Sequence, residues 1–280
     1  MSLSKTWTER GLTKVPEITA FFWIIKALTT AMGEATSDYS VYAIDPVIAV
    51  LLGFIVFVIA MALQLRTRRY VAPVYWFAVV MVAVFGTMCA DVLHVRFGVP
   101  YSVSSTGFAI VLAAVFVSWY LVEGTLSIHS VSTLRRELFY WSTVLATFAL
   151  GTALGDMTAT TLHLGYFSSG LMFAGLIALP ALGYGFTRLN GILAFWAAYV
   201  ITRPLGASFA DWLGVPRSWG GLAWGRGNVG IIFAIPIVAL VAYLTVSRVD
   251  IPADQRPAAA TGAHFAGQDE EASEMAGETR

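Results

Sequence analysis

Eight stretches of roughly 20 predominantly apolar residues, near 17–38, 44–65, 72–93, 107–128, 138–160, 168–187, 190–211 and 228–247, constrain this chain more than any other feature. A helix of about that length crosses the ~30 Å hydrocarbon core of a bilayer, and lipid tolerates only helices or closed barrels. Composition agrees with spanning. Of 280 residues 58% are apolar and 12% charged, where a soluble domain carries about 25% charged, and mean hydropathy is +0.73. The expected fold is all-α, a polytopic transmembrane bundle of about eight spans.

Alternate loops are basic: Arg66, Arg68 and Arg69 after the second span, Arg135 and Arg136 after the fourth, Arg188 after the sixth and Arg248 after the eighth. By the positive-inside rule these loops and both termini are expected in the cytoplasm, with Arg96, Arg217 and Arg226 as exceptions on the far side. The N-terminus, with Lys5, Arg10 and Lys14, has no signal-peptide pattern. Formal net charge is zero, yet the part after Val249 holds seven acids against two bases, so the body carries the positive excess. The expected division is a cytoplasmic segment 1–14, a transmembrane domain 15–248 and a disordered cytoplasmic tail 249–280 that is too poor in apolar residues to fold. Cys89 stands alone, which excludes an internal disulfide and a cysteine metal cluster. No basic patch points to nucleic acid.

The spans repeat. Trp23, Trp76, Trp141 and Trp196 are each followed ten residues later by Gly33, Gly86, Gly151 and Gly206, and fifteen residues later by Asp38, Asp91, Asp156 and Asp211. The pattern W-x9-G-x4-D thus recurs at separations of 53, 65 and 55 residues, dividing the spanning domain into units at about 15–70, 71–134, 135–189 and 190–248. Each unit holds two spans, so successive units enter the bilayer in the same direction and are parallel repeats about an axis along the membrane normal. At 1.5 Å per residue, fifteen residues climb ~22 Å, which puts the tryptophan in one interfacial aromatic belt and the aspartate in the outer part of the core. Offsets three, seven, eleven and fifteen from the tryptophan share a helix stripe. The stripe reads Lys26, Thr30, Glu34, Asp38 in the first unit and Tyr199, Arg203, Ala207, Asp211 in the fourth. In the middle units it reads Val79, Ala83, Thr87, Asp91 and Val144, Phe148, Thr152, Asp156. Glycine at the tenth position predicts close helix approach.

The stretch VPEITAFFWIIKALTTAMGEATSDY from Val15 to Tyr39, with GTALGDMTATTLHLGYF and LGASFADWLGVP, resembles a bacterial family of uncharacterised membrane-anchored proteins built from tandem copies of a domain of unknown function. The resemblance spans roughly 15 to 248 and implies the repeat architecture and a bacterial inner (cytoplasmic) membrane, without implying a substrate or cofactor.

Charges inside spans cost roughly 2.5–3.5 kcal/mol each and mark sites by default. The expected ion-binding set is Glu34 and Asp38 with Thr30 on one face, joined by Asp91, Asp156 and Asp211, with Lys26 and Arg203 as counter-charges. Carboxylates and hydroxyls are hard oxygen ligands suited to Mg, Ca or Mn, and the same groups can relay protons. His94, three residues after Asp91, and His163, seven after Asp156, offer transition-metal pairs on the same reasoning. Glu123 is expected to pair with Arg135 or Arg136. Against these stands a structural alternative, a static buried charge network that fixes helix register. An enzyme is not expected, because no outer loop joins a nucleophile with His and acid and no HExxH occurs. The expected function is therefore transport or export of a small cation, divalent metals included, with proton coupling open. The competing reading is a non-catalytic membrane scaffold or sensor. Cofactors and oligomeric state are left open, and the expected partners are the lipid bilayer and a small cation or proton.

Overall fold

The computed structural model describes residues 11–256. Eight long helices run in order: α1 (Ala20–Ala43), α2 (Pro46–Arg66), α3 (Ala72–Asp91), α4 (Tyr101–Glu123), α5 (Leu134–Asp156), α6 (Tyr166–Phe186), α7 (Gly191–Gly214) and α8 (Arg226–Ser247). Local sequence sets several boundaries. Asp45 caps α2 by accepting from Val47 and Ile48 N–H at 2.9 and 3.2 Å with Pro46 as first residue, Asn190 caps α7 through Ile192 N–H, and Gly124 in the left-handed region ends α4. Short π-helical turns, Val92–Arg96 and Met157–Thr161, follow α3 and α5.

Seven of the eight helices are long and apolar enough to cross a membrane. The eighth is α1, which at 24 residues has the length but carries Lys26, Glu34 and Asp38. Its companions cover those charges. α1, α3, α5 and α7 form an inner ring in which each packs on the next and α7 returns to α1. Of the span residues, 56–72% are buried in α3, α5 and α7, against 17–22% in α2, α4, α6 and α8. The outer helices turn Leu51, Val58, Val117, Leu121, Leu179, Ile235 and Val238 outward, a surface unsuited to water and suited to hydrocarbon.

The ring closes by equivalent contacts. A β-carbon at Gly33 would meet Ala83, at Gly86 it would lie 2.7 Å from Cβ of Phe148, at Gly151 it would meet Arg203, and at Gly206 it would meet Thr30. In every case the offset-ten glycine receives the offset-seven residue of the following helix. The residue before each tryptophan repeats the rule one level lower: Phe22 lies against Trp76 (5.8 Å between ring centroids), Tyr75 against Trp141 (5.6 Å), Tyr140 against Trp196 (6.2 Å) and Phe195 against Trp23 (5.7 Å). Equal offsets meeting around a closed cycle place the four units at one level, as parallel repeats require. The outer helices follow a rule of their own. α2 packs on α3, α4 on α5, α6 on α7 and α8 on α1, so each even helix leans on the next repeat rather than on its own partner.

Two expectations change. Trp76, Trp141 and Trp196 are buried rather than set in a lipid-facing belt, because each fills the seam between neighbouring inner helices; Trp196 also donates to the Leu126 carbonyl at 2.9 Å. The segment after Val249 is not wholly a free tail. Residues 11–19 run as a strap across that end of the bundle, with Thr13 N–H on Asp254 (2.8 Å), Glu17 N–H on the Asp250 carbonyl (3.0 Å) and Lys14 N–H on the Val131 carbonyl (2.9 Å). Tyr70 donates to the buried Asp250 carboxylate, and burial pushes Asp250 above the usual carboxylate range despite that bond. The expected disorder over 257–280 and the segment 1–10 lie outside the described residues.

Candidate functional site

The offset-eleven side chains of three inner helices converge on the axis. Arg203 Nη2, from α7, donates to Glu34 Oε2 of α1, to Thr87 Oγ1 of α3 and, at 2.6 Å, to Thr152 Oγ1 of α5. Thr87 and Thr152 hydroxyls also reach Glu34 Oε2 at 3.3 and 3.2 Å, and Arg203 Nη1 reaches the Thr30 carbonyl at 3.3 Å. All five side chains are buried. At offset eleven the fourth corner is Ala207, which brings only a methyl group. The unit that supplies the cation therefore supplies no acceptor beside it. Threonines and a carbonyl satisfy most of what this buried ion pair leaves over, while Arg203 Nε stays buried without a partner.

About two turns toward the tryptophans, Lys26 does not pair with an acid as expected. Its Nζ lies 4.1 Å from the ring centroids of both Phe148 and Tyr199, is buried and has no hydrogen-bond partner; Arg203 sits 5.2 Å from the same Phe148 ring. Arg203 is thus the counter-charge and Lys26 is held by aromatic faces. Beyond it the eight aromatics of the offset minus-one and zero positions close the ring, with Tyr75 and Tyr140 hydroxyls 2.5 Å apart.

One turn in the other direction lie the offset-fifteen aspartates, close enough to feel one another's charge. Asp38 pairs with Arg226 Nε of α8 at 2.7 Å. Glu34 and Asp38 therefore do not act as an isolated pair: neighbouring turns of one stripe are claimed by two different arginines. Asp211 is buried, and Asp91 Oδ2 is buried without a hydrogen-bond partner. The histidines are placed elsewhere. His94 Nδ1 is 3.0 Å from the Val99 carbonyl and its ring stacks on Tyr101, while His163 is exposed in a turn at φ 56°. Among the described residues no three His, Cys, Asp or Glu side chains gather as a metal ligand set. Glu123 takes both expected partners, Arg135 at 2.5 Å and Arg136 at 2.6 Å.

Sequence reasoning placed Thr87 and Thr152 on the stripe without assigning them to the site, and it missed Arg226. A signal for Arg226 existed, since it is a basic residue opening the last span on the side the positive-inside rule leaves poor in bases.

The profile of a Repeat of Unknown Function (DUF347) matches residues 21–70, 74–125, 139–189 and 194–250. The chain belongs to the DUF347 repeat family. Each DUF347 match begins at or just before a repeat tryptophan and ends after an even helix, so the family repeat is the odd–even helix pair. The structure then joins these repeats by leaning each even helix on the next one. No curated protein and no solved structure matches the chain.

Proposed function

We propose that this DUF347 protein transports a small cation across the bacterial inner membrane, in exchange with or coupled to protons, and is not an enzyme. The observation that supports this most is the stacking on one axis of four same-offset aspartates over the Glu34–Arg203 pair. The acidic mouth concentrates cations, and hard oxygens at Glu34, Thr87 and Thr152 suit a proton or a small metal ion. Arg203 competes with an arriving cation for Glu34, so the carboxylate keeps a positive neighbour in either state and no bare charge is left in low dielectric. A divalent ion would need six or more oxygens, of which backbone and water would have to supply several. Passage to the other side requires the aromatic ring at Trp23, Trp76, Trp141 and Trp196 to open. The basic loops lie at the end that holds residues 11–19, which fits both termini facing the cytoplasm.

One observation favours the scaffold or sensor reading: the Arg203 Nη2 contacts are buried and made directly to side chains of three other helices. Purified protein in liposomes separates the two. Flux of H+, Na+, K+, Mg2+ and Mn2+ is measured for wild type and for Glu34→Gln/Arg203→Gln, which keeps polar shape without charge. Transport by wild type and its loss in a double variant that melts normally is the expected result. Equal flux in both, or none in wild type across the panel, replaces transport by the static network.

A further inference from the structure

Because each even helix leans on the following repeat, its first turn lies over that repeat's aspartate. The first residue of α8, Arg226, pairs with Asp38 at 2.7 Å. α4 begins with Tyr101, which feels Asp156 most strongly and Asp91 next, and α6 begins with Tyr166, which feels Asp211 most strongly. Tyr101 and Tyr166 both stand twenty-five residues after their own repeat tryptophan. The same offset in the first unit is Ile48. The first turn of α2, Pro46 to Ala49, carries no side-chain donor, and the aspartate of the helix it packs on is Asp91. Of the four ring aspartates Asp91 has the oxygen, Oδ2, that is both buried and without a partner.

We infer that Asp91 is the proton-carrying carboxylate of the ring, the one ring acid with an oxygen that is both buried and without a hydrogen-bond partner, so that it can bind and release H+. The inference deepens the transport reading and rests on it only for the flux measurement below. A proton needs one free oxygen, whereas a divalent ion needs several. An ionised, unpartnered oxygen out of water is costly, so the group is stable there when it holds a proton. Its surroundings agree: α1 presents Asp38 and Glu34, α5 presents Asp156, α4 presents Tyr101, whose stronger neighbour is Asp156, Cys89 stands two residues before it on α3, and α7 presents Arg203, which already serves Glu34. From α8, Arg226 is taken by Asp38, and from α2 Asp45 is occupied as the cap of its own helix. Proton uptake at Asp91 thus removes one negative charge from a crowded cluster, and the other three aspartates, each with a neighbour from an even helix, stay as fixed attractors.

The test is infrared difference spectroscopy of the full chain in lipid, titrated with pH and read at the carbonyl stretch of a protonated carboxylic acid. A titrating band is expected in wild type, absent in Asp91→Asn, and retained in Asp156→Asn and Asp211→Asn. Ile48→Tyr, at a position 53% exposed, supplies a hydroxyl at the offset of Tyr101 and Tyr166 and should shift the band while leaving the carboxylate in place. Proton-coupled flux should fall about tenfold in both Asp91→Asn and Ile48→Tyr, a loss of ~1.4 kcal/mol in the step concerned. A band that survives Asp91→Asn, one lost instead with Asp156→Asn or Asp211→Asn, or no titrating band in wild type overturns the assignment. An Asp91-dependent band in a protein with no flux keeps the proton site and removes transport, so the two failures are distinguishable.

Discussion

The two ends of the inner ring use the same four helices and the same cyclic contacts, yet they are built from opposite materials. At the tryptophan end eight aromatics meet by one rule repeated four times, including the return from Phe195 to Trp23. At the aspartate end the four carboxylates repeat just as faithfully, but their neighbours do not: Arg226 serves Asp38, Tyr101 feels Asp156 most strongly, Tyr166 feels Asp211 most strongly, and Asp91 keeps a buried oxygen without a hydrogen-bond partner. Between them the offset-eleven layer is already broken, with Glu34, two threonines and Ala207. Repetition holds the ring closed, and departures from repetition carry the chemistry.

The strongest way to break this contrast is to obstruct closure. Gly206→Leu drives a side chain into Thr30 and the Ala31 backbone, whereas Gly107 on α4 has open space around it. Overpacking against backbone costs about 1–3 kcal/mol or more, so Gly206→Leu should abolish the folded peak in size-exclusion chromatography while Gly107→Leu runs as wild type. Equal behaviour of the two would show that the inner seams are loose. A smaller loss sharpens the division between ends. Trp141→Ala should lower stability by about 3–5 kcal/mol in a detergent denaturation curve yet leave flux per folded molecule unchanged, and Asp156→Asn should do the reverse. Trp141→Ala variants that stay stable and lose flux would move the chemistry to the aromatic end.

The smallest effect concerns the strap. Asp250 binds a proton more tightly in the folded chain than in the unfolded one, because burial outweighs the Tyr70 hydrogen bond. A raised carboxyl contributes stability that is fully present below its ordinary value near 3.8 and is lost as pH rises through the higher folded value. Hydrogen exchange in residues 11–19, corrected for the intrinsic rate, should therefore quicken as pH rises above the usual carboxylate range, and Asp250→Asn should flatten that dependence. Protection that increases with pH would reverse the sign.

Much of this was legible because the motif lies where the ring packs. Offsets ten, eleven and fifteen are set by helix geometry, so W-x9-G-x4-D foretold parallel units, close glycine seams and a polar stripe on one face of each inner helix. The hand-over of each even helix to the next repeat was not legible, since α2, α4, α6 and α8 are apolar on most sides and carry no matching motif to reveal which helix they face. For the same reason the pairing of Arg226 with Asp38 escaped notice, as did the splitting of Glu34 from Asp38. Lys26 misled because charge was matched with charge, when the nearest groups in space were the rings of Phe148 and Tyr199.

Everything said about the axis depends on α7 returning to α1 through Glu34 and Arg203, 169 residues apart in the chain. A double-mutant cycle in detergent melting tests this with Glu34→Gln, Arg203→Gln and both together. Removing one partner of a buried pair should cost about 3–5 kcal/mol, because the other is left charged and unpaired. The double variant should recover a large part of that loss, giving a coupling energy of several kcal/mol. Single losses that simply add in the double variant would mean that the two charges do not meet and that the ring does not close on its axis.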